Sequence, residues 1–181
     1  MKKIMWMAVA MAITASLLAA DDKGDGKKPE GKTLPAPRFT IQADTNCVVD
    51  NLTGLTWARN AGLTGTNQLT WAKAVAFCKE LNYGGHTDWR LPSFKEFFSL
   101  MDARFKSPAI SNTAGTDKMK EGDPFTSVRQ YLNGVCYYWV TTTTAGEPGG
   151  PWLVSVMNAA QNISSESGAG SGYVWPVRGG P

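Results

Sequence analysis

Leu69–Met101, LTWAKAVAFCKELNYGGHTDWRLPSFKEFFSLM, decides how the rest of the chain is read. It spells two helices joined by a glycine turn and a short extended link. Thr70 sits where an N-cap belongs, and Trp71, Ala74, Val75, Cys78 and Leu81 recur at helical spacing on one face. Asn82, Gly84 and Gly85 then stop the helix, because glycine takes the left-handed conformation that ends one. Leu91 precedes Pro92 and is pushed out of the helical region, so Trp89–Pro92 reads as extended. Ser93 and Glu96 form a capping box that opens a second helix, with Phe94, Phe97, Phe98 and Met101 as its apolar face. Both stripes are expected to pack into a core, the usual fate of aromatic faces at this spacing.

Upstream, Lys2 and Lys3, the apolar run Ile4–Leu18 and the small-residue exit Leu18-Ala19-Ala20 read as a secretory signal over residues 1–20. The apolar run is shorter than the roughly 20 residues a spanning helix needs, so no transmembrane segment is expected after cleavage. The first cysteine is Cys47, which argues against a lipid anchor at the cut. Asp21–Pro37 holds four lysines against four acids, with three glycines and three prolines. Such a stretch cannot bury enough apolar surface to offset the entropy of ordering, so residues 21–37 read as a flexible linker.

One domain's worth of chain remains, residues 38–181. The formal charge of +3 falls to +1 when Lys2 and Lys3 leave, too little field for nucleic acid as a general partner. Phe39–Gln42, Cys47–Val49 and Leu55–Ala58 read as strands, with turns at Asp44–Asn46 and Asp50–Gly54. Arg104–Gly134 is a long polar connection, of the kind that is either functional or an ordered Ω-type excursion, with Ser127–Leu132 as a short helical turn. Cys136–Thr144 and Trp152–Met157 are strand-like, Asn158–Gly172 reads as a loop, and Tyr173–Arg178 closes the chain. Pro176 belongs where no ladder bond is needed.

Five blocks in this order carry a resemblance: Asp50–Trp57 (DNLTGLTW), Thr70-Trp71 with Ala74, Asp88–Pro92 (DWRLP) with Glu96, Tyr138-Trp139, and Val174–Gly180 (VWPVRGG). Together they resemble the Lcl C-terminal domain family, named for a bacterial collagen-like surface adhesin. That family in turn is similar to C-type-lectin-like and formylglycine-generating-enzyme folds. The resemblance implies an α+β, C-type-lectin-like fold with two helices on a small twisted antiparallel sheet and long irregular loops. It also implies an exported bacterial protein, periplasmic, secreted or surface-attached, with an adhesin-like binding role. The chain lacks the collagen-like repeats of the namesake, so trimer assembly by that route is not carried over, although an oligomer stays compatible.

Enzyme chemistry finds little footing. His86 is the only histidine, and no glycine-rich phosphate loop precedes a helix. The formylglycine-generating relatives use paired late cysteines, and here only Cys136 lies late. Glu147-Pro148 falls where a C-type lectin carries a calcium motif, but Gly149 replaces the amide, and Glu147 and Glu166 are the only acids between Thr141 and Gly172. No metal or cofactor is expected. Export suits disulfides: Cys47, Cys78 and Cys136 permit one bridge and leave one thiol, with the pair unspecified and a buried thiol open for Cys78.

Trp57, Trp71, Trp89, Trp139 and Trp175 lie in the blocks and read as core, and Arg90 and Arg178 as holders of carbonyls or carboxylates. Trp152 lies outside the blocks beside a Gly/Pro turn and reads as an exposed aromatic for stacking. With Asn158, Gln161, Asn162 and Ser164 it forms the candidate ligand surface, and Lys118 and Lys120 would add a basic rim for an anionic polymer. The expected partner is a polysaccharide or protein surface met by the loops between Cys136 and Tyr173. A structural envelope component is the alternative, with an unrecognised enzyme behind both.

Overall fold

A computed structural model describes residues 34–129, 136–143, 150–157, 163–165 and 170–179, with 163–165 described by its backbone alone. The expected signal and most of the linker lie outside these residues. Nine elements follow in order: β1 (Phe39–Ile41), β2 (Cys47–Asp50), β3 (Thr56–Ala58), α1 (Trp71–Glu80), α2 (Phe94–Leu100), β4 (Tyr138–Thr143), β5 (Pro151–Val154), β6 (Ile163–Ser165) and β7 (Val177–Arg178). The fold is α+β, with two helices and two antiparallel sheets ordered β1-β2-β3-β7 and β4-β5-β6. The meander β1–β2–β3 follows from its turns. Asp50 ends β2 and its carbonyl accepts from Thr53 and Gly54 at 3.2 and 2.8 Å, which reverses the chain into β3.

Residues 172–178 tie the separate pieces together. Gly172 and Leu69 exchange backbone bonds at 3.0 and 2.9 Å, and Trp139 N–H donates to Tyr173 at 3.0 Å. Val177 exchanges two 2.9 Å bonds with Arg90 and pairs with Trp57 across β3. Pro176 falls just before β7, where its missing N–H costs nothing and its carbonyl accepts from Ala58 at 3.0 Å.

Trp57, Phe97, Phe125, Tyr138 and Trp175 are fully buried and meet around Trp175. Trp175 lies 4.9 Å from Phe125 and 5.7 Å from Trp57, edge to face in both pairs, the arrangement that suits ring quadrupoles. A second cluster joins α1 to the other sheet through Ala74, Cys78, Leu91, Trp139, Leu153 and Val174. Four indoles satisfy their N–H on backbone carbonyls: Trp175 on Ala58 at 2.8 Å, Trp139 on Leu69 at 2.7 Å, Trp89 on Tyr83 at 3.0 Å and Trp71 on Val140 at 3.1 Å. Trp71 is half-buried rather than core, because α1 lies at the edge of its cluster.

The helices form where the sequence places them, with differences in detail. Thr70 occupies the N-cap of α1 in extended conformation, but its hydroxyl makes no capping bond. The capping box of α2 is complete: Ser93 Oγ accepts from Glu96 N at 3.2 Å and Glu96 Oε2 from Ser93 N at 2.7 Å. On α2 the buried pair is Phe97 and Leu100, whereas Phe98 is 43% exposed. A seven-residue helix buries only the i, i+3 pair turned toward the sheet, and Phe98 falls outside that arc.

In its described part, residues 104–129, the long connection is an ordered excursion. Its own Ala109, Ile110, Met119 and Phe125 are buried. Ala109 N–H donates to Val156 at 2.7 Å, and Ala61 and Thr126 take backbone bonds of 2.9 Å that seat it on the chain after β3. Arg59 adds a third tie, donating to Pro124 at 3.0 Å and Gly122 at 2.8 Å. The helical turn expected over Ser127–Leu132 does not form in its described part, where Ser127 takes a φ of 54° and Val128 and Arg129 are irregular. Within Asn158–Gly172, read as loop, β6 pairs with β5.

Candidate functional site

Trp152 is not the exposed aromatic that its Gly/Pro neighbours suggested. On β5 its ring lies edge-on to Phe94 at 5.3 Å, half-buried, and its indole N–H is buried without a partner. Phe94 in turn touches Phe98 at 5.7 Å, so a short aromatic row runs from β5 onto α2 and emerges into solvent at Phe98. Asn158, Gln161 and Asn162 lie outside the described residues, as does the side chain of Ser164.

Lys118 and Lys120 are exposed on either side of Met119, which is buried with its N–H on Ile110 at 2.9 Å. The alternation sends both lysines to one face, about 7 Å apart. Acids accompany them. Asp117 and Glu121 are exposed neighbours, and Asp123 accepts from Thr113 N at 2.9 Å. Three carboxylates face two ammonium groups and the Arg59 guanidinium on the Gly122 and Pro124 carbonyls, so the charge along this rim nearly cancels.

The arginines of the blocks hold carboxylates. Arg90 meets Glu96 through two bonds of 2.8 and 2.7 Å, and also donates to the Gly179 carbonyl at 2.8 Å. The pair, first through Arg90 and further through Ser93 N, holds the Glu96 carboxyl below its ordinary range. Arg178 donates to Asp88 at 2.7 Å on an open surface and lowers that carboxyl too. His86, beside them, stands edge-on to Trp89 at 6.3 Å.

An ion pair that the sequence did not disclose lies between β1 and β2. Arg38 and Asp50 have side chains 5% and 0% exposed, and the Arg38 guanidinium also donates to the Ser99 carbonyl of α2 at 2.8 Å. Asp50 Oδ1 accepts from Arg38 and from Leu52 N at 2.8 Å, while Oδ2 is buried without a partner. Burial draws the Arg38 guanidinium down to about 10, against the opposing pull of Asp102. An open cleft of about 300 Å³ separates the β2–β3 turn from α2, lined by Thr53, Leu55, Lys95, Glu96 and Ser99.

The disulfide expected from export is absent among the described residues. Cys47 belongs to the cluster under the four-stranded sheet and Cys78 to the one under α1, so packing holds their sulfurs in different cores. Burial first, with Asp44 adding to it, pushes the Cys47 thiol up to about 11, and burial pushes Cys78 to about 12. Cys136 is half-buried ahead of β4. Among the described residues no three His, Cys, Asp or Glu side chains gather as a metal centre requires, and no helix is long and apolar enough to cross a membrane.

The five blocks thus coincide with the structural frame: the β2–β3 turn, the α1 N-terminus, the Arg90–Glu96 pair, the start of β4 and the closing strand. The Lcl C-terminal domain model matches residues 46–178, from the entry of β2 to the end of β7. The chain belongs to the Lcl C-terminal domain family. No curated protein and no solved structure matches the chain. For this Lcl C-terminal domain the tryptophans and arginines of the blocks build the scaffold, and among the described residues the Lys118–Lys120 rim, the Asp88–Arg178 pair, the Phe98 end of the aromatic row and the cleft beside α2 lie open.

Proposed function

We propose that the chain is an exported binding module of the bacterial envelope or cell surface, adhesin-like, with a C-type-lectin-like fold and no catalytic role. Its ligand is a polysaccharide or a protein surface, met by the loops between Cys136 and Tyr173. Membership of the Lcl C-terminal domain family carries this reading. The division of labour in the domain supports it, since a frame of paired strands and buried indoles leaves variation to the segments it displays. The balanced charge beside Lys118 and Lys120 favours a neutral or mixed-charge ligand over a strongly anionic one.

A glycan array run beside a pull-down from the bacterial envelope tests the proposal. Asn158→Ala with Asn162→Ala is expected to weaken the ligand so found at least several-fold without moving the thermal midpoint, whereas Lys118→Gln with Lys120→Gln changes it little. Affinity unchanged by the asparagine pair, with the fold intact, removes the site from these loops.

A further inference from the structure

The cleft between the β2–β3 turn and α2 has walls of unequal character. Leu55 lines it while only 3% exposed, and among the described residues Leu52, next in sequence to Thr53, is a large exposed apolar side chain. Most of its polar groups are already engaged. Glu96 spends its carboxylate on Arg90 and on Ser93 N, and Ser99 Oγ donates to the Glu96 carbonyl at 2.8 Å. Thr53 Oγ1 accepts from Leu55 N at 3.3 Å, which leaves its O–H free to donate. Lys95 is exposed, and among the described residues it enters no ion pair. Both polar groups left over are therefore donors, one of them charged.

From this we infer a second binding site, which takes an apolar side chain next to a carboxylate on a partner protein. The occupant is settled by what the cleft can satisfy. A sugar ring brings several hydroxyls that each need a partner, and burying them against Leu55 with most polar groups of the cleft already engaged would leave most unpaired at a cost. A carboxylate only accepts, and matches the Lys95 ammonium and the Thr53 hydroxyl. With Arg90 neutralised by Glu96, Lys95 leaves the rim with one net positive charge, complementary to an acid. An aliphatic side chain seated on Leu55 and the apolar stem of Lys95 supplies the apolar contact. The volume of about 300 Å³ is at the small end of ligand sites and suits one or two side chains rather than a long polymer. This site lies apart from Asn158 and Asn162 in sequence and stands or falls independently of the loop surface.

The test is amide-shift titration of the labelled protein with three capped dipeptides, acetyl-Leu-Asp-amide, acetyl-Leu-Asn-amide and acetyl-Gly-Asp-amide. The Leu-Asp probe is expected to move the amides of Leu55, Lys95 and Ser99, and to bind about two- to fivefold tighter than Leu-Asn, the discrimination one exposed ion pair gives. Gly-Asp is expected to bind more weakly than Leu-Asp. Lys95→Gln, at an exposed position that leaves the fold alone, should erase the difference between Leu-Asp and Leu-Asn while the apolar contribution remains. The inference is overturned if no probe moves these amides, if the parent binds Leu-Asp and Leu-Asn equally, or if Lys95→Gln keeps the preference.

Discussion

Arg38 is the residue on which the seating of the first strand depends, and Arg38→Met isolates its charge. Methionine nearly keeps the length and apolar stem of the side chain, so packing against Phe39 survives, where the guanidinium now lies 4.5 Å over the ring. What is lost is the one counter-charge, among the described residues, of a carboxylate that is 0% exposed, together with a donor to the Ser99 carbonyl near the end of α2. Breaking a buried pair from one side costs about 3–5 kcal/mol, because the remaining charge stays desolvated. For a domain of this size each kcal/mol moves the midpoint by about 2–4 °C, which gives a fall of roughly 6–20 °C. Circular dichroism melts of the parent, Arg38→Met and the double variant Arg38→Met/Asp50→Leu measure it. The double variant should recover most of the loss, since apolar replacement of a buried pair is often neutral or better. Arg38→Lys, which keeps the charge but not the fork that spans Asp50 and Ser99, gives an intermediate if the methionine variant fails to fold. A methionine variant within about 2 °C of the parent, or a double variant no better than the single, refutes the reasoning.

Three further outcomes follow from local geometry. Ser93→Ala should cost about 1 kcal/mol as a lost N-cap, and Arg90→Ala less, because the Arg90 side chain is 41% exposed and exposed pairs give roughly 0.2–1 kcal/mol. Since the Glu96 carboxyl is held below its ordinary range, its contribution is full at neutral pH and fades as pH falls through the lowered value, so urea titrations of parent and Glu96→Gln should converge in acid. Gly84→Ala should destabilise by about 1–3 kcal/mol, because φ is 58° and the new methyl would lie 2.6 Å from Cys47 Sγ and 3.0 Å from Asp44 Oδ2. Cys47→Ala should recover part of that loss in a double-mutant cycle, the left-handed backbone cost remaining; no recovery would show that Sγ is not the obstacle.

What the sequence discloses is what periodicity and capping encode. Both helices, the Ser93–Glu96 box, the β1–β2–β3 meander and the buried indoles of the blocks follow from spacing within a window of a few residues. Phe98 is misjudged by the same rule, since on a seven-residue helix one residue of rotation decides whether a phenylalanine meets the sheet or the solvent. β6 escapes for a related reason: Ile163–Ser165 is short, flanked by Asn, Ser and Gly, and becomes a strand only because β5 offers it an edge. Trp152 reads as exposed from its turn-rich neighbours, and only α2 folding across it reveals the contact with Phe94.

The candidate site is less legible, because its elements are distant in sequence and ordinary one by one. Arg38 appears as the first residue after a linker and Asp50 as part of a turn, and neither announces that the other will be buried beside it. The cleft draws on residues from 53 to 99, and its chemistry lies in what remains unspent after Arg90, Ser93 and the backbone have taken their share. Glu96 shows the difficulty most plainly. Its spacing from Ser93 identifies a capping box, yet the same carboxylate also binds Arg90, and that second bond leaves Lys95 as the one cation on the rim without an acid of its own among the described residues. A sequence motif identifies the first partner of a side chain. The specificity inferred for this surface turns on which groups have none.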